Sequence, residues 1–201
     1  MIASTRVVLP ELLDELDPND PRARRSRRDL RRVHRAMGSL SILQEGILRL
    51  QLSNLPTRIL ELGAGDASLL LRLARAQPTW RGVALTVLDR HDLLSNETRR
   101  AYDQLGWRLT VLRADVMEWA RKDYSQQFDL CFANLFLHHF DTAALKTLMT
   151  AIAERSDAFV ACEPRRNAFA WLGSRLVGIL GANDVTRVDA VKSVEAGFAD
   201  Q

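Results

Sequence analysis

Apolar positions along this chain follow two periods, and the alternation between them predicts the fold. Apolar-rich runs at residues 58–62, 83–88, 107–112, 128–134 and 158–162 read as strands, and the continuous apolar run 83–88 is of the kind buried on both faces. Between them the spacing becomes helical. Leu69, Leu70 and Leu73 line one face before Pro78, and residues 96–105 close at Gly106. Leu145, Leu148, Met149 and Ile152 follow Asp141, and an apolar helix over residues 168–180 stops at Gly181. Strand and helix in alternation predict a doubly wound α/β fold with a mostly parallel sheet.

Two helices are expected ahead of the first strand. Asp20 followed by Pro21 is a helix start, and Leu30, Val33, Met37 and Leu40 recur on one face. A second helix, over residues 41–52, is expected to pack beside it. The chain therefore divides into an N-terminal helical cap, residues 1–56, and a sheet domain, residues 57–201.

Charge changes the picture only locally. Net charge is +3, but five acids at residues 11–17 and 20 precede eight arginines at residues 22–35. A basic helix invites a nucleic acid or anionic membrane, yet without aromatic partners it reads as a solvated face, and nucleic acid is not the favoured partner. With 47% apolar and 26% charged residues, composition is that of an ordinary globular protein. No apolar run reaches bilayer-spanning length and residues 1–10 lack a signal-peptide pattern, so a cytoplasmic protein is expected. Cys131 and Cys162 lie in strand-like runs, which favours buried thiols over a disulfide, and no metal ligands are expected.

The chemistry concentrates after the first strand, in Glu61-Leu62-Gly63-Ala64-Gly65-Asp66-Ala67-Ser68. Strand, glycine turn and helix start make a nucleotide-sized crevice in α/β sheets. A dinucleotide site would read G-x-G-x-x-G, but Ser68 holds the third position and Asp66 would set a carboxylate beside a diphosphate. A cofactor carrying a sulfonium and an ammonium suits Glu61 and Asp66 better. Asp89 ends the second strand, 23 residues after Asp66, where an acid can accept from both ribose hydroxyls or simply cap a turn. Asp115 follows the third strand as a helix N-cap.

The turn resembles motif I of the class I S-adenosylmethionine-dependent methyltransferases, with Ala67 where a third glycine often falls. Phe128-Asp129 through Asn134, then Leu137-His138-His139, is similar to motif IV of their small-molecule branch, particularly the quinone-ring C-methyltransferases. The resemblance implies S-adenosyl-L-methionine held by Glu61, Gly63, Gly65, Asp89, Asp115, the Val116 amide and Asn134. It implies a small-molecule acceptor, a phenol or quinone-like ring, with His138, His139 and Glu163 on the substrate side. A base there would raise the nucleophilicity of an acceptor. Either histidine could instead only shape its loop, and Arg165 and Arg166 could meet an anionic acceptor. A non-catalytic cofactor- or RNA-binding module on the same scaffold is the alternative; oligomeric state is silent.

Family members close the sheet with an antiparallel hairpin of strands six and seven. Only 39 residues follow Cys162, and residues 183–201 hold no two β-rich runs. The expectation is a sheet domain that lacks the hairpin, as a truncated chain would, leaving the fifth strand as a bare apolar edge.

Overall fold

The computed structural model describes residues 6–122 and 125–199. The outermost residues of the N- and C-terminal segments read above, 1–5 and 200–201, lie outside the described residues. The chain forms two compact units, one of residues 39–134 with 142–162, the other of residues 6–38, 135–141 and 163–199.

The first unit is the sheet. Strands β1 (Arg58–Leu62), β2 (Ala84–Asp89), β3 (Arg108–Arg113), β4 (Leu130–Asn134) and β5 (Phe159–Cys162) run parallel throughout, in the order β3-β2-β1-β4-β5. The chain winds outward from β1 through β3, then returns to β4 on the other side. β1 and β4 therefore flank the topological switch point, where open α/β sheets bind ligands at the carboxyl ends of their strands. Ile59, Leu85, Val87, Leu130, Phe132 and Val160 point into one core with α3 (Ser39–Leu50), α4 (Ser68–Ala76) and α5 (Asn96–Gln104). Residues of opposite pleat, Leu60, Leu62, Leu88, Cys131 and Ala133, are equally buried, as strands covered on both faces require.

Two further helices, α6 (Val116–Arg121) and α7 (Thr142–Arg155), pack on each other. Leu145 and Met149, expected on the inner face of α7, are not buried there. The face is Leu148, Ala151, Ile152 and Arg155, with Met149 exposed. The Arg155 guanidinium donates to the carbonyls of Trp119 (2.9 Å) and Lys122 (2.6 Å) and lies over the Trp119 ring. An arginine tied to carbonyls thus belongs to the buried face, which an apolar count leaves out.

β5 ends the sheet among the described residues, but its side chains are sheltered. Only Ala161 is exposed, and α3 lies so close that a Cβ on Gly46 would meet Val160 Cγ1 at 2.9 Å. Cys131 and Cys162 are both free and buried, and burial pushes the Cys131 thiol upward.

The second unit is helical: α1 (Leu12–Glu15), α2 (Pro21–Ala36), the loop 135–141, α8 (Ala168–Leu176), a 3₁₀ turn (Val177–Leu180) and α9 (Asp184–Glu195). Asp20 caps α2 at the Arg22 amide, with Pro21 in the first turn, as the sequence predicts. The buried face of α2 differs from expectation. It is Ala23, Ser26, Asp29 and Val33, while Leu30 is only half-buried and Met37 exposed. The reason is a polar seam with α9: Ser26 Oγ meets Thr186 Oγ1 at 2.7 Å, and the Asn183 amide donates to Asp29 at 2.8 Å. Likewise the second helix, α3, packs on α4 and β5, while α2 packs on α9.

Candidate functional site

In the sheet unit the site grows from the turn between β1 and α4. The Gly63 amide donates to Leu88 O (2.9 Å) and the Gly65 amide to Asp89 Oδ2 (2.9 Å), which ties the turn to the end of β2. Gly63 and Gly65 have φ of 60° and 55°, a region closed to most side chains. Ala67 adopts φ 53° as well. Its departure from the family pattern is therefore conformational as much as steric, because the left-handed region costs a residue with a Cβ roughly 1 kcal/mol. Tyr102 braces this residue, donating its hydroxyl to Ala67 O at 2.9 Å. No local signal in α5 announces that role. Asp66 accepts from the Ser68 amide at 3.0 Å, within the turn that leads into α4.

Four of the predicted cofactor residues stand at successive strand ends or turns of this unit. Glu61 is buried in β1, and its Oε2 has no hydrogen-bond partner. Burial, with Asp66 and Asp89 adding like charge, holds its carboxyl well above the ordinary range. Asn134, the last residue of β4, likewise has a buried Oδ1 without a partner. Asp89 ends β2 and accepts from Gly65 and, at 3.0 Å, from the His91 amide. Asp115 follows β3 and caps α6 through the amides of Met117 (2.7 Å) and Glu118 (3.4 Å), with Val116 buried behind it. An electronegative turn with two unused buried acceptors suits a cationic ligand that also donates hydrogen bonds. It opposes a diphosphate.

The helical unit gathers the remaining predicted residues. Glu163 Oε1 accepts from the amides of Phe136 and Leu137, both at 2.9 Å, and Oε2 from the His138 amide at 3.3 Å. The same Oε2 lies 2.8 Å from His138 Nδ1. Glu163 thus folds the loop around its own carboxylate. His138 is buried, and its Nε2 faces Glu11 Oε1 at 3.3 Å. Burial alone would lower the imidazole pKa, but Glu11 and Glu163 outweigh it and raise it to about 9. Glu11 in turn is lowered: burial opposes the shift, and His138, His139 and Ser193 overcome it.

His139 is more open, with 21% of its side chain exposed; its Nδ1 lies 3.2 Å from Asp14 and its Nε2 3.9 Å from Glu11. The two imidazoles sit 4.4 Å apart. Arg6 fastens the loop from outside, donating to the His138 carbonyl at 3.0 Å. Sequence reading places His138, His139 and Glu163 together but misses Glu11 and Asp14. These lie some 125 residues upstream in an acidic block that reads as bulk countercharge.

Among solved structures, the chain is similar to the plantazolicin methyltransferase BpumL in complex with SAH, with a TM-score of 0.62 at 15% identity over 90% of this chain. It is also similar to an O-methyltransferase family protein from Burkholderia thailandensis, with a TM-score of 0.57 at 16% identity over 90% of this chain. The likeness is one of fold, and the present chain spans 66% and 51% of those two proteins. No curated protein matches the sequence. Among the described residues no helix is long and apolar enough to cross a membrane. Residues 59–156, from β1 through α7, match the family model described as a methyltransferase domain.

Proposed function

We propose that this chain binds S-adenosyl-L-methionine at the carboxyl ends of β1, β2 and β4 and transfers its methyl group to a small-molecule acceptor. The observation that carries the reading is Glu61: a buried carboxylate, unpartnered at Oε2, among two further acids on the strand and turn that a Rossmann-like sheet uses for ligands. The methyltransferase-domain match and the fold of the SAH-bound relative support it.

When bound, the cofactor supplies an electrophilic methyl on sulfur, open to in-line displacement by an acceptor. The residues of this chain do the rest. Glu61 offers a countercharge to the ammonium or sulfonium, and Gly63 and Gly65 keep the turn free of side chains. Asp89 holds the turn with one oxygen and has lone pairs left for ribose hydroxyls. Asp115 and the Val116 amide serve the adenine edge, and Asn134 contributes its unused carbonyl. Orientation and exclusion of water are the protein's main contributions to such a displacement.

On the acceptor side we assign His138 and His139, in the loop that leaves β4 directly after Asn134, and Glu163, which follows β5. Glu163 and His138 hold the loop, and His139 is the more exposed of the two imidazoles. A phenol or quinone-like ring is the acceptor class that the Leu137-His138-His139 resemblance supports.

Calorimetry with S-adenosylmethionine, S-adenosylhomocysteine and NADH tests the cofactor. Binding of the first two and not the third is expected. Saturation by NADH would reject the reading. Mass spectrometry of phenol and quinol panels incubated with the cofactor then tests transfer; a protein that binds cofactor and methylates no acceptor is the binding module instead.

A further inference from the structure

We infer that Glu11, His138 and His139 form a seat for a divalent first-row transition metal such as Zn²⁺. One ligand atom from each can be chosen so that all lie within 4.8 Å of one another. The set is two imidazoles and a carboxylate, which leaves a fourth tetrahedral position open, as in catalytic rather than structural zinc sites. Ligand atoms about 2.0–2.1 Å from a tetrahedral zinc stand roughly 3.3 Å from each other. His138 Nε2 and Glu11 Oε1 are already 3.3 Å apart. His139 Nε2, 3.9 Å from Glu11 Oε2, needs only a small side-chain rotation to join them.

The surroundings match a metal site further out. Metal-binding histidines usually give their other ring nitrogen to a carboxylate, which fixes ring and tautomer. Both do so here: His138 Nδ1 faces Glu163 at 2.8 Å, and His139 Nδ1 faces Asp14 at 3.2 Å. Both Nε2 atoms are thereby turned toward the one carboxylate of Glu11. A buried imidazolium between Glu11 and Glu163 would account for His138 alone. It gives no reason for His139 to repeat the arrangement with an acid of its own. Three carboxylates share the cluster with two imidazoles, and the nearby Arg6 guanidinium is directed at the Leu137 and His138 carbonyls instead.

Solvent reaches the seat, since the Glu11 and His139 side chains are 13% and 21% exposed. An oxygen ligand, water or a hydroxyl, would take the open position and be acidified there. The inference does not rest on methyl transfer.

The test uses the full chain, stripped with a chelator and titrated with Co²⁺, whose visible absorption reports low-coordinate geometry, followed by displacement with Zn²⁺. Saturation at one equivalent per chain is expected. His139→Ala should abolish the visible band. Asp14→Asn, at a side chain that is 37% exposed, should keep the fold and weaken affinity about 10–100-fold. Absence of the band in the parent chain, or titrations unchanged in folded His139→Ala or Asp14→Asn protein, would overturn the inference. If His139→Ala fails to fold, by circular dichroism, Asp14→Asn decides alone.

Discussion

Two acidic clusters among the described residues resolve the same electrostatic problem in opposite ways. At the glycine turn, Glu61, Asp66 and Asp89 face one another, among the described residues no basic side chain binds Glu61, and its Oε2 is left without a donor. In the helical unit, Glu11 and Glu163 are no less crowded, but imidazoles and backbone amides answer them. The contrast separates a cluster whose carboxylates already find donors within the chain from one whose buried acceptor finds none. Burying a carboxylate costs free energy unless something compensates it. Removing the charge of Glu61 therefore relieves a cost in the free protein.

The strongest test of the contrast is to remove one partner from the satisfied cluster. His138→Ala leaves Glu163 and Glu11 facing each other without the imidazole, and chemical denaturation should show a loss of about 3–5 kcal/mol. An unchanged midpoint would dissolve the distinction. At the open cluster, Asp89→Ala removes the acceptor of the Gly65 amide and the proposed ribose contact. Calorimetry should show S-adenosylmethionine affinity reduced roughly 100-fold, the effect of one or two charge-assisted hydrogen bonds.

Glu61→Gln should do what no change in the satisfied cluster does: stabilise the free protein, by about 1–3 kcal/mol at pH 7, while weakening the cofactor. The sign follows from the raised pKa of Glu61. Its unfolded-state value is about 4.3, so below that pH the native carboxyl costs nothing extra. Above it stability falls until the pH reaches the folded value, because only the unfolded chain can ionise cheaply. The advantage of Gln over Glu should therefore grow from about pH 4.3 upward, measured by melting across pH. Asp129 gives the opposite slope within the same unit. Burial works against it, but the amides of Thr57 and Arg58, the Thr57 hydroxyl and the Arg58 guanidinium lower its pKa to about 2. Its contribution is present above about pH 3.9 and is lost as pH falls toward the folded value. The smallest effect is expected from Ala67→Gly. Relief of the left-handed strain, offset by the entropy of an added glycine, should raise stability by about 0.5 kcal/mol in a denaturant series.

The sheet was legible because its cause is local. Apolar runs bounded by Gly63, Gly65, Gly106 and Asp89 announce parallel strands and the turn between them, and Asp20-Pro21 announces α2 to the residue. The misread faces share another cause. On α2 and α7 the buried positions include Ser26, Asp29 and Arg155, and what makes burial tolerable there is a partner far along the chain. Periodicity counts apolar side chains and is blind to such pairings. The same distance hides Glu11 and Asp14, while the adjacent His138 and His139 are visible as a motif. At Ala67 the sequence shows size but not backbone angle.

The seam between α2 and α9 carries a thermal consequence. It is made of hydroxyl, amide and carboxylate contacts, and Asp189 of α9 extends it by accepting from the Leu12 and Leu13 amides at 2.7 and 2.9 Å. Exposing polar surface lowers the heat capacity of unfolding, whereas exposing apolar surface raises it. Separation of these helices would therefore leave little trace in a calorimeter that registers the melting of the strands. Deuterium uptake at Leu12, Leu13 and Asn183 would report it directly.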